Sequence, residues 1–288
     1  MIEPIFLAEA ALNGILLGGV LALLALGLNL IFGVLDIVWI VYVDLVMLSM
    51  YLMYFLVMVY GWPVWAAGLA GIALGVVLGI AVHLLIITPI LDSPPVNQLL
   101  ATGGLLFFVQ SFATFLWSTD HRSIRLNLPV LEIGGMFVSF ARLIAFVLAL
   151  LAMVGLYLFL TRTYIGTAIR AVSQDRGAMA LMGANPQRIY VVTSAVGGLM
   201  AGVAAVLLSI QYSVHPHFGA AFGPITFMIC VLGGLGNMVG AFIASFIMSE
   251  IISVGGVIWS TEMGYVIAFA LFIVLMFLRP GGILARRQ

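Results

Sequence analysis

Residues Arg162–Arg188 read RTYIGTAIRAVSQDRGAMALMGANPQR, and this polar stretch separates two long apolar runs. It contains four arginines and one carboxylate, Asp175. The flanking runs are long enough to cross a bilayer, for which a helix needs about 20 residues. The pattern predicts a membrane protein with one compact segment in water. We expect that segment to contact something outside the bilayer.

Composition extends this prediction to the whole chain. Of the 288 residues, 65% are hydrophobic and 7% are charged, whereas a soluble domain has about 25% charged residues. A chain of this length cannot bury so much apolar surface in its own core, so lipid must cover the rest. The formal net charge is zero, which argues against a nucleic acid partner.

The residue types exclude several kinds of site. All ten basic residues are arginine. A P-loop requires a lysine against the nucleotide phosphates, and a Schiff base requires a lysine amine, so we expect neither in this chain. Cys230 is the single cysteine, which excludes a disulfide within the chain. We predict no catalytic residue and no metal site.

The apolar runs predict an all-α, polytopic membrane protein of about eight or nine spans, forming a single domain over residues 1–288. Glu3 and Glu9 precede any basic residue, so the first run is expected to be a retained helix, not a cleaved signal peptide. The seventh run is short. The candidate spans are Ile5–Ile31, Trp39–Tyr60, Trp62–Ile87, Gln98–Trp117, Phe137–Leu160, Ile189–Gln211, Ala220–Leu232, Val239–Val257 and Gly264–Leu278.

Arginine placement predicts the orientation, because basic residues concentrate in cytoplasmic loops. The polar stretch carries four arginines, and the tail carries Arg279, Arg286 and Arg287 without an acidic residue. We therefore expect both to be cytoplasmic, with the N-terminus outside. The loop Ser118–Gly135 balances its charges, among them Arg125, and is expected outside.

The polar stretch itself predicts a short helix. Thr161–Val172 is expected to continue the helix of the preceding span. The side chain of Ser173 or Asp175 can accept a hydrogen bond from an unpaired amide and cap a new helix that runs to Met182. Gly183 suits the left-handed position that ends such a helix.

The next helix is expected to begin with Asn185 as its cap and Pro186 as its first residue. The short helix carries the apolar side chains Met179 and Leu181. A helix this short is marginal alone and needs a partner surface. Two partners remain open: the protein's own cytoplasmic face, or a separate protein.

Five motifs, in order along the chain, resemble the permease subunits of high-affinity branched-chain amino acid ABC importers. The coupling-loop motif runs from Arg170-Ala171 through Gln174-Asp175 to the segment 180–185 (ALMGAN). The other four are GLNLIFGVL at 27–35, LLATGGLLFFVQ at 99–110, VLGGLG at 231–236 followed by Gly240-Ala241, and LRPGGIL at 278–284.

The resemblance implies an ATP-binding cassette importer, in which this chain is not itself an enzyme. The expected partners are a second permease (a paralogue or a second copy), two cytoplasmic ATPases that bind ATP and Mg, and a periplasmic solute-binding protein. The short helix would dock on the ATPase as a coupling helix. The residues expected to contribute are Arg170, Gln174, Asp175, Arg176, Met179, Leu181, Gly183 and Asn185.

The chain departs from the family pattern at two places. Where the family carries an Asn-x-Ala-His-Gly-type turn, this chain has Trp39, Tyr42 and Val43 in the Asn, His and Gly positions. The later segment Gly223–Phe227 lacks the family's lysine. From the resemblance we expect a small solute that is amino-acid-like, or that carries a carboxylate or an amide. Because bulky side chains replace the polar turn, this solute can be more apolar or aromatic than a branched-chain amino acid. The residues expected along the translocation path are Asn13, Asn29, Trp39, Tyr42, Asp44 and Gln110.

A second class of function remains open at this point. Polar residues inside spans are costly and often functional, so Asp44 and Glu250 would suit an ion-coupled secondary transporter or a channel. Such a protein has no need of a docking helix. His215 and His217 are too few for a metal site, and we expect a structural loop there.

Overall fold

A computed structural model describes residues 4–124, 129–133, 136–183, 185–279 and 281–283. In those residues, eight helices are long and apolar enough to cross a membrane, and a ninth apolar helix, Phe218–Gly233, is shorter. The prediction of an all-α polytopic membrane protein is confirmed. Arg125, Arg286 and Arg287, which entered the predicted orientation, lie outside the described residues.

The elements follow one another with short connections. Two π-helical segments, Phe55–Val59 and His83–Ile87, extend the second and third helices. The α-helices are α1 (Pro4–Leu35), α2 (Tyr42–Tyr54), α3 (Val64–Val82), α4 (Thr88–Ile90), α5 (Pro95–Trp117), α6 (Phe140–Arg162), α7 (Tyr164–Gln174), α8 (Arg176–Leu181), α9 (Pro186–Ser209), α10 (Phe218–Gly233), α11 (Met238–Ile258) and α12 (Thr261–Leu278).

A small antiparallel hairpin precedes α6. Strand β1 (Val130–Ile133) pairs with β2 (Met136–Ser139), with Glu132 opposite Phe137. The charge balance of residues 118–135 predicts an outer loop here. Strands of four residues are too short to produce a clear alternating pattern, so their pairing could not be predicted from the sequence.

Helix α1 forms the centre of the bundle. From Val20 to Ala25 each side chain is at most 1% exposed, and α1 packs against α6, α9, α10 and, most extensively, α11. A helix that is apolar on all sides is stable where neighbours surround it. The uniform hydrophobicity of this segment therefore reflects its central position.

Helices α3 and α9 pack with their backbones in close contact. A Cβ added to Gly75 would lie 2.5 Å from the Gly198 carbonyl oxygen, and one added to Gly79 would lie 2.6 Å from the Ser194 carbonyl oxygen. Small residues allow this approach inside a bilayer, where dispersion contacts take over from the hydrophobic effect between helices.

The two ends of the bundle are distinguished by their contacts. At the end we call the coupling end, Arg176 in α8 binds the backbone at Val34, the last turn of α1. The segment after α12 returns to the same end, where the Ile283 amide donates to the Leu232 carbonyl. The start of α1 lies at the opposite end, which we call the far end.

Three predicted helix boundaries were wrong. The fifth span was expected to begin at Phe137, but residues 137–139 lie in β2 and α6 begins at Phe140. The other two concern breaks within or before a helix. The helix expected to run unbroken over Thr161–Val172 is interrupted at Thr163, which has an extended backbone and caps α7. The second span begins at Tyr42, because Trp39 lies in a non-helical segment between α1 and α2. In both places the local sequence is compatible with a continuous helix. The Thr163 side chain instead caps a new helix, and the Thr102 hydroxyl of α5 binds the non-helical backbone beside Trp39.

Candidate functional site

Helix α7 lies along the coupling end as an amphipathic helix. Its first turn is capped by the Thr163 hydroxyl, which accepts a hydrogen bond from the Gly166 amide at 3.0 Å. Gly166, Ile169 and Val172 are buried, while Tyr164 is 90% exposed. One face of α7 is thus fixed to the bundle and the other faces away from it.

Helix α8 has the caps that the sequence predicted. Of the two candidate residues, Asp175 is the cap, with its Oδ1 accepting from the Ala178 amide at 2.9 Å. Gly183 has a φ of 82°, in the left-handed region. Asn185 caps α9 by accepting from the Gln187 amide at 3.1 Å, and Pro186 is the first residue of that helix. These caps fix both ends of the short helix.

Arg176 attaches α8 to the rest of the chain. Its guanidinium forms an ion pair with Asp36 at 2.7 Å and donates to the Val34 carbonyl at 3.1 Å. It also lies 5.7 Å from the centre of the Tyr190 ring, within the range of a cation–π contact. Met179, one turn later, packs partly against the core.

The remainder of α8 is open. Leu181 is 91% exposed and Met182 is 84% exposed. Neighbouring apolar side chains with such high exposed fractions indicate a surface that a partner can cover. Of the eight predicted coupling residues, Arg176 and Met179 face the chain itself. The exposed six are Arg170, Gln174, Asp175, Leu181, Gly183 and Asn185.

The segment between α1 and α2 turns back into the bundle without forming a helix. Asp36 has a φ of 58°, and the Trp39 side chain is fully buried. The Thr102 hydroxyl of α5 donates to the Val38 carbonyl at 3.2 Å. Irregular backbone is tolerated at membrane depth where protein surrounds it, and interrupted helices are common in transporters.

Tyr42 and Asp44 follow this segment and are both buried. The Tyr42 hydroxyl donates to the Gly197 carbonyl of α9 at 3.2 Å. Asp44 accepts from the Gln110 amide of α5 at 3.0 Å, and its other oxygen has no hydrogen-bond partner among the described residues. Gly219 of α10 lies directly against the Asp44 carboxylate. Gly27 of α1 lies directly against the Tyr42 hydroxyl, so five helices meet around these two side chains.

Asn29, another predicted path residue, binds the glycine turn between α10 and α11. Its amide nitrogen donates to the Asn237 carbonyl at 2.9 Å, and its oxygen accepts from the Gly236 amide at 2.7 Å. The side chain thereby satisfies a buried turn at the coupling end. The structure separates Asn29 from the Asp44–Gln110 pair, which lies further along the bundle.

Asn13 lines a cleft at the far end of the bundle, with a volume of about 380 Å³. Its oxygen accepts from the Arg142 guanidinium at 2.7 Å. Tyr212 lies on the same cleft. Burial raises the pKa of its phenol, and the nearby Arg142 partly offsets the rise, so Tyr212 is neutral at physiological pH.

Sequence reasoning missed Arg142 as a candidate. It is the only charged residue in the predicted span Phe137–Leu160, and an isolated charge in a span indicates function by default. The isolated charge could therefore have identified Arg142 from the sequence. No sequence feature could have identified the contact between Gly219 and Asp44, because that contact depends on how α2 and α10 pack.

The histidines at the far end form a structural contact. The rings of His121 and His215 stack with centroids 4.4 Å apart. Burial and the neighbouring His121 lower the pKa of His215. Within the described residues, the histidines, cysteine and carboxylates form no group suited to a metal ion.

Comparison with known proteins gives a match along most of the chain. Residues 10–276 match the family model described as the permease component of branched-chain amino acid transport systems. The chain is 28% identical to the permease protein LivH of Escherichia coli (strain K12), over 99% of this chain and 97% of LivH. It is 27% identical to BraD of Pseudomonas aeruginosa, over 97% and 96% of the two chains. No solved structure matches.

Proposed function

This chain belongs to the permease family of branched-chain amino acid transport systems, and from that premise we propose that it is the membrane subunit of an ATP-driven importer. The single observation that supports this most strongly is the coupling segment. It combines a short helix with two fixed ends and an exposed apolar edge at one end of a membrane-spanning bundle.

In this proposal α8 docks on a separate ATPase subunit. Leu181 and Met182 supply an apolar contact, while Arg176 fixes the helix to the end of α1. Movement of the ATPase would then reach α1 and the non-helical segment that begins at Asp36. ATP and Mg bind in that partner, so this chain carries no catalytic residue.

The proposed assembly pairs this chain with a second permease, either a paralogue or another copy, and with two ATPases and a solute-binding protein. The coupling end faces the cytoplasm of a bacterial inner membrane, and the far end faces outward. The concentration of arginine between Arg162 and Arg188 supports this orientation. The N-terminus then lies outside and the C-terminus inside.

We propose an amino acid as the solute. The relatives' names refer to branched-chain amino acids, which favours an apolar side chain. Trp39 and Tyr42, where the family has the Asn and His of a polar turn, favour a solute that is more apolar or aromatic. Asp44, Gln110 and Asn13 are further candidates for contact along the path.

The test is uptake by proteoliposomes that contain the complete complex and its binding protein. We expect uptake of tritiated L-leucine to require ATP inside the vesicles and to survive an ionophore that collapses ion gradients. Competition by unlabelled L-phenylalanine then compares aliphatic with aromatic solutes.

A complex lacking the ATPases provides the control and is expected to be inactive. Uptake driven by a proton gradient without ATP would contradict the proposal. That result would favour the ion-coupled class instead, for which the unpaired oxygen of the buried Asp44 is the supporting observation.

A further inference from the structure

The cleft at the far end is large enough for a small solute. Its volume is about 380 Å³, and small-molecule sites typically measure about 300–1,000 Å³. Its walls come from α1, α6, α11, α12 and the turn after α9. These elements meet at the end from which a solute would enter in the proposed function.

The cleft holds two opposite charges that do not pair with each other. Glu9 and Arg142 both line it, yet the ion pair found in the described part of the chain joins Arg176 to Asp36. Arg142 donates one hydrogen bond to Asn13, and a guanidinium has five N–H donors. The Glu9 carboxylate forms no hydrogen bond or ion pair with the described residues.

The rest of the lining is mixed. Tyr212 and Tyr265 contribute phenols, and Leu17 and Ile252 contribute apolar surface. An apolar ligand or a simple anion would leave at least one of the two charges without a partner, which is unfavourable where solvent is partly excluded. A ligand with both charges and an apolar side chain satisfies the whole lining.

We propose that this cleft binds a zwitterionic amino acid, with Arg142 taking the carboxylate, Glu9 taking the ammonium group and the apolar wall taking the side chain. The inference rests on the proposed function and identifies where its solute first binds to the permease. It also gives Arg142 and Glu9 a role in solute binding, whereas docking of α8 on an ATPase involves neither residue.

The test measures direct binding of three tritiated ligands to the purified complex in phosphatidylglycerol nanodiscs, without the binding protein. L-Leucine carries both charges, isocaproate lacks the ammonium group, and isoamylamine lacks the carboxylate. The variants are Glu9→Gln and Arg142→Gln. Glu262→Gln is the matched control, because Glu262 is exposed at the same end of the bundle and does not line the cleft.

We expect a reciprocal pattern. Glu9→Gln should weaken leucine and isoamylamine binding about tenfold or more and leave isocaproate unchanged, since a hydrogen bond to a charged group is lost. Arg142→Gln should weaken leucine and isocaproate and leave isoamylamine unchanged. A variant that merely misfolds would weaken all three ligands equally.

Three results would overturn the proposal. They are unchanged leucine binding in both variants, equal loss of every ligand in variants that melt at the wild-type temperature, or wild-type protein that retains phosphatidylethanolamine but does not bind leucine. The last result would assign the cleft to a lipid headgroup. Uptake measurements distinguish failure of the cleft proposal from failure of the proposed function. If both variants keep ATP-driven leucine uptake with an unchanged KM, the cleft is not the binding site. If the wild-type complex shows no ATP-driven uptake, the proposed function itself is wrong.

Discussion

Arg176 is the residue through which α8 contacts the rest of the bundle most directly. Its ion pair with Asp36 is partly exposed, with 40% and 72% of the two side chains accessible. Pairs of that kind contribute about 0–1 kcal/mol to stability. The ion pair therefore contributes little to stability. We expect its importance to lie in transport, because it joins the proposed docking helix to the end of α1.

We predict that Arg176→Ala separates transport from stability. The melting temperature of the complex should change little, while ATP-driven uptake should fall severalfold and ATP hydrolysis should continue. Arg162→Ala is the matched control, since Arg162 is also exposed at the coupling end and forms no side-chain hydrogen bond in the described structure. Equal uptake in the two variants would show that Arg176 does not transmit movement of the ATPase to α1.

At the scale of elements, close packing of α3 on α9 determines how these two helices are arranged. Gly75 of α3 faces the backbone of α9 with no space for a methyl group, whereas a Cβ on Gly103 of α5 would have no atom within 4 Å. The same substitution at the two sites therefore has different consequences.

We predict that Gly75→Ala lowers the free energy of unfolding by about 1–3 kcal/mol, the usual cost of overpacking, and that Gly103→Ala changes it little. Thermal unfolding of the purified protein in detergent measures both. An equal melting temperature for Gly75→Ala and the wild type would mean that the two helices can separate without cost.

At the scale of the whole molecule, local signals predicted most of the architecture. The number of spans follows from apolar run length, and the limits of α8 follow from Asp175, Gly183 and Asn185, because capping and left-handed turns are properties of short segments. The break at Thr163 and the non-helical segment around Trp39 could not be predicted this way. In both places the local sequence permits a helix. Threonine occurs inside helices as well as at their caps, and the segment around Trp39 depends on a contact with another helix, α5.

The two candidate sites also differ in how far the sequence could predict them. The coupling residues lie within one short stretch, so their sequence neighbours are also their neighbours in space. The far-end cleft draws Glu9, Arg142 and Tyr212 from three distant parts of the chain. Such a site depends on the tertiary arrangement. Its signals in the sequence were two polar residues in predicted spans, Asn13 and the isolated charge of Arg142.

Crosslinking shows whether α8 docks on a separate ATPase subunit. Cys230 is buried, so Leu181→Cys introduces one accessible thiol, and Phe115→Cys provides a control on the exposed face of α5. A short bismaleimide should join the ATPase to residue 181 and not to residue 115. An intact, ATP-hydrolysing complex that yields no crosslink from residue 181 would contradict the account.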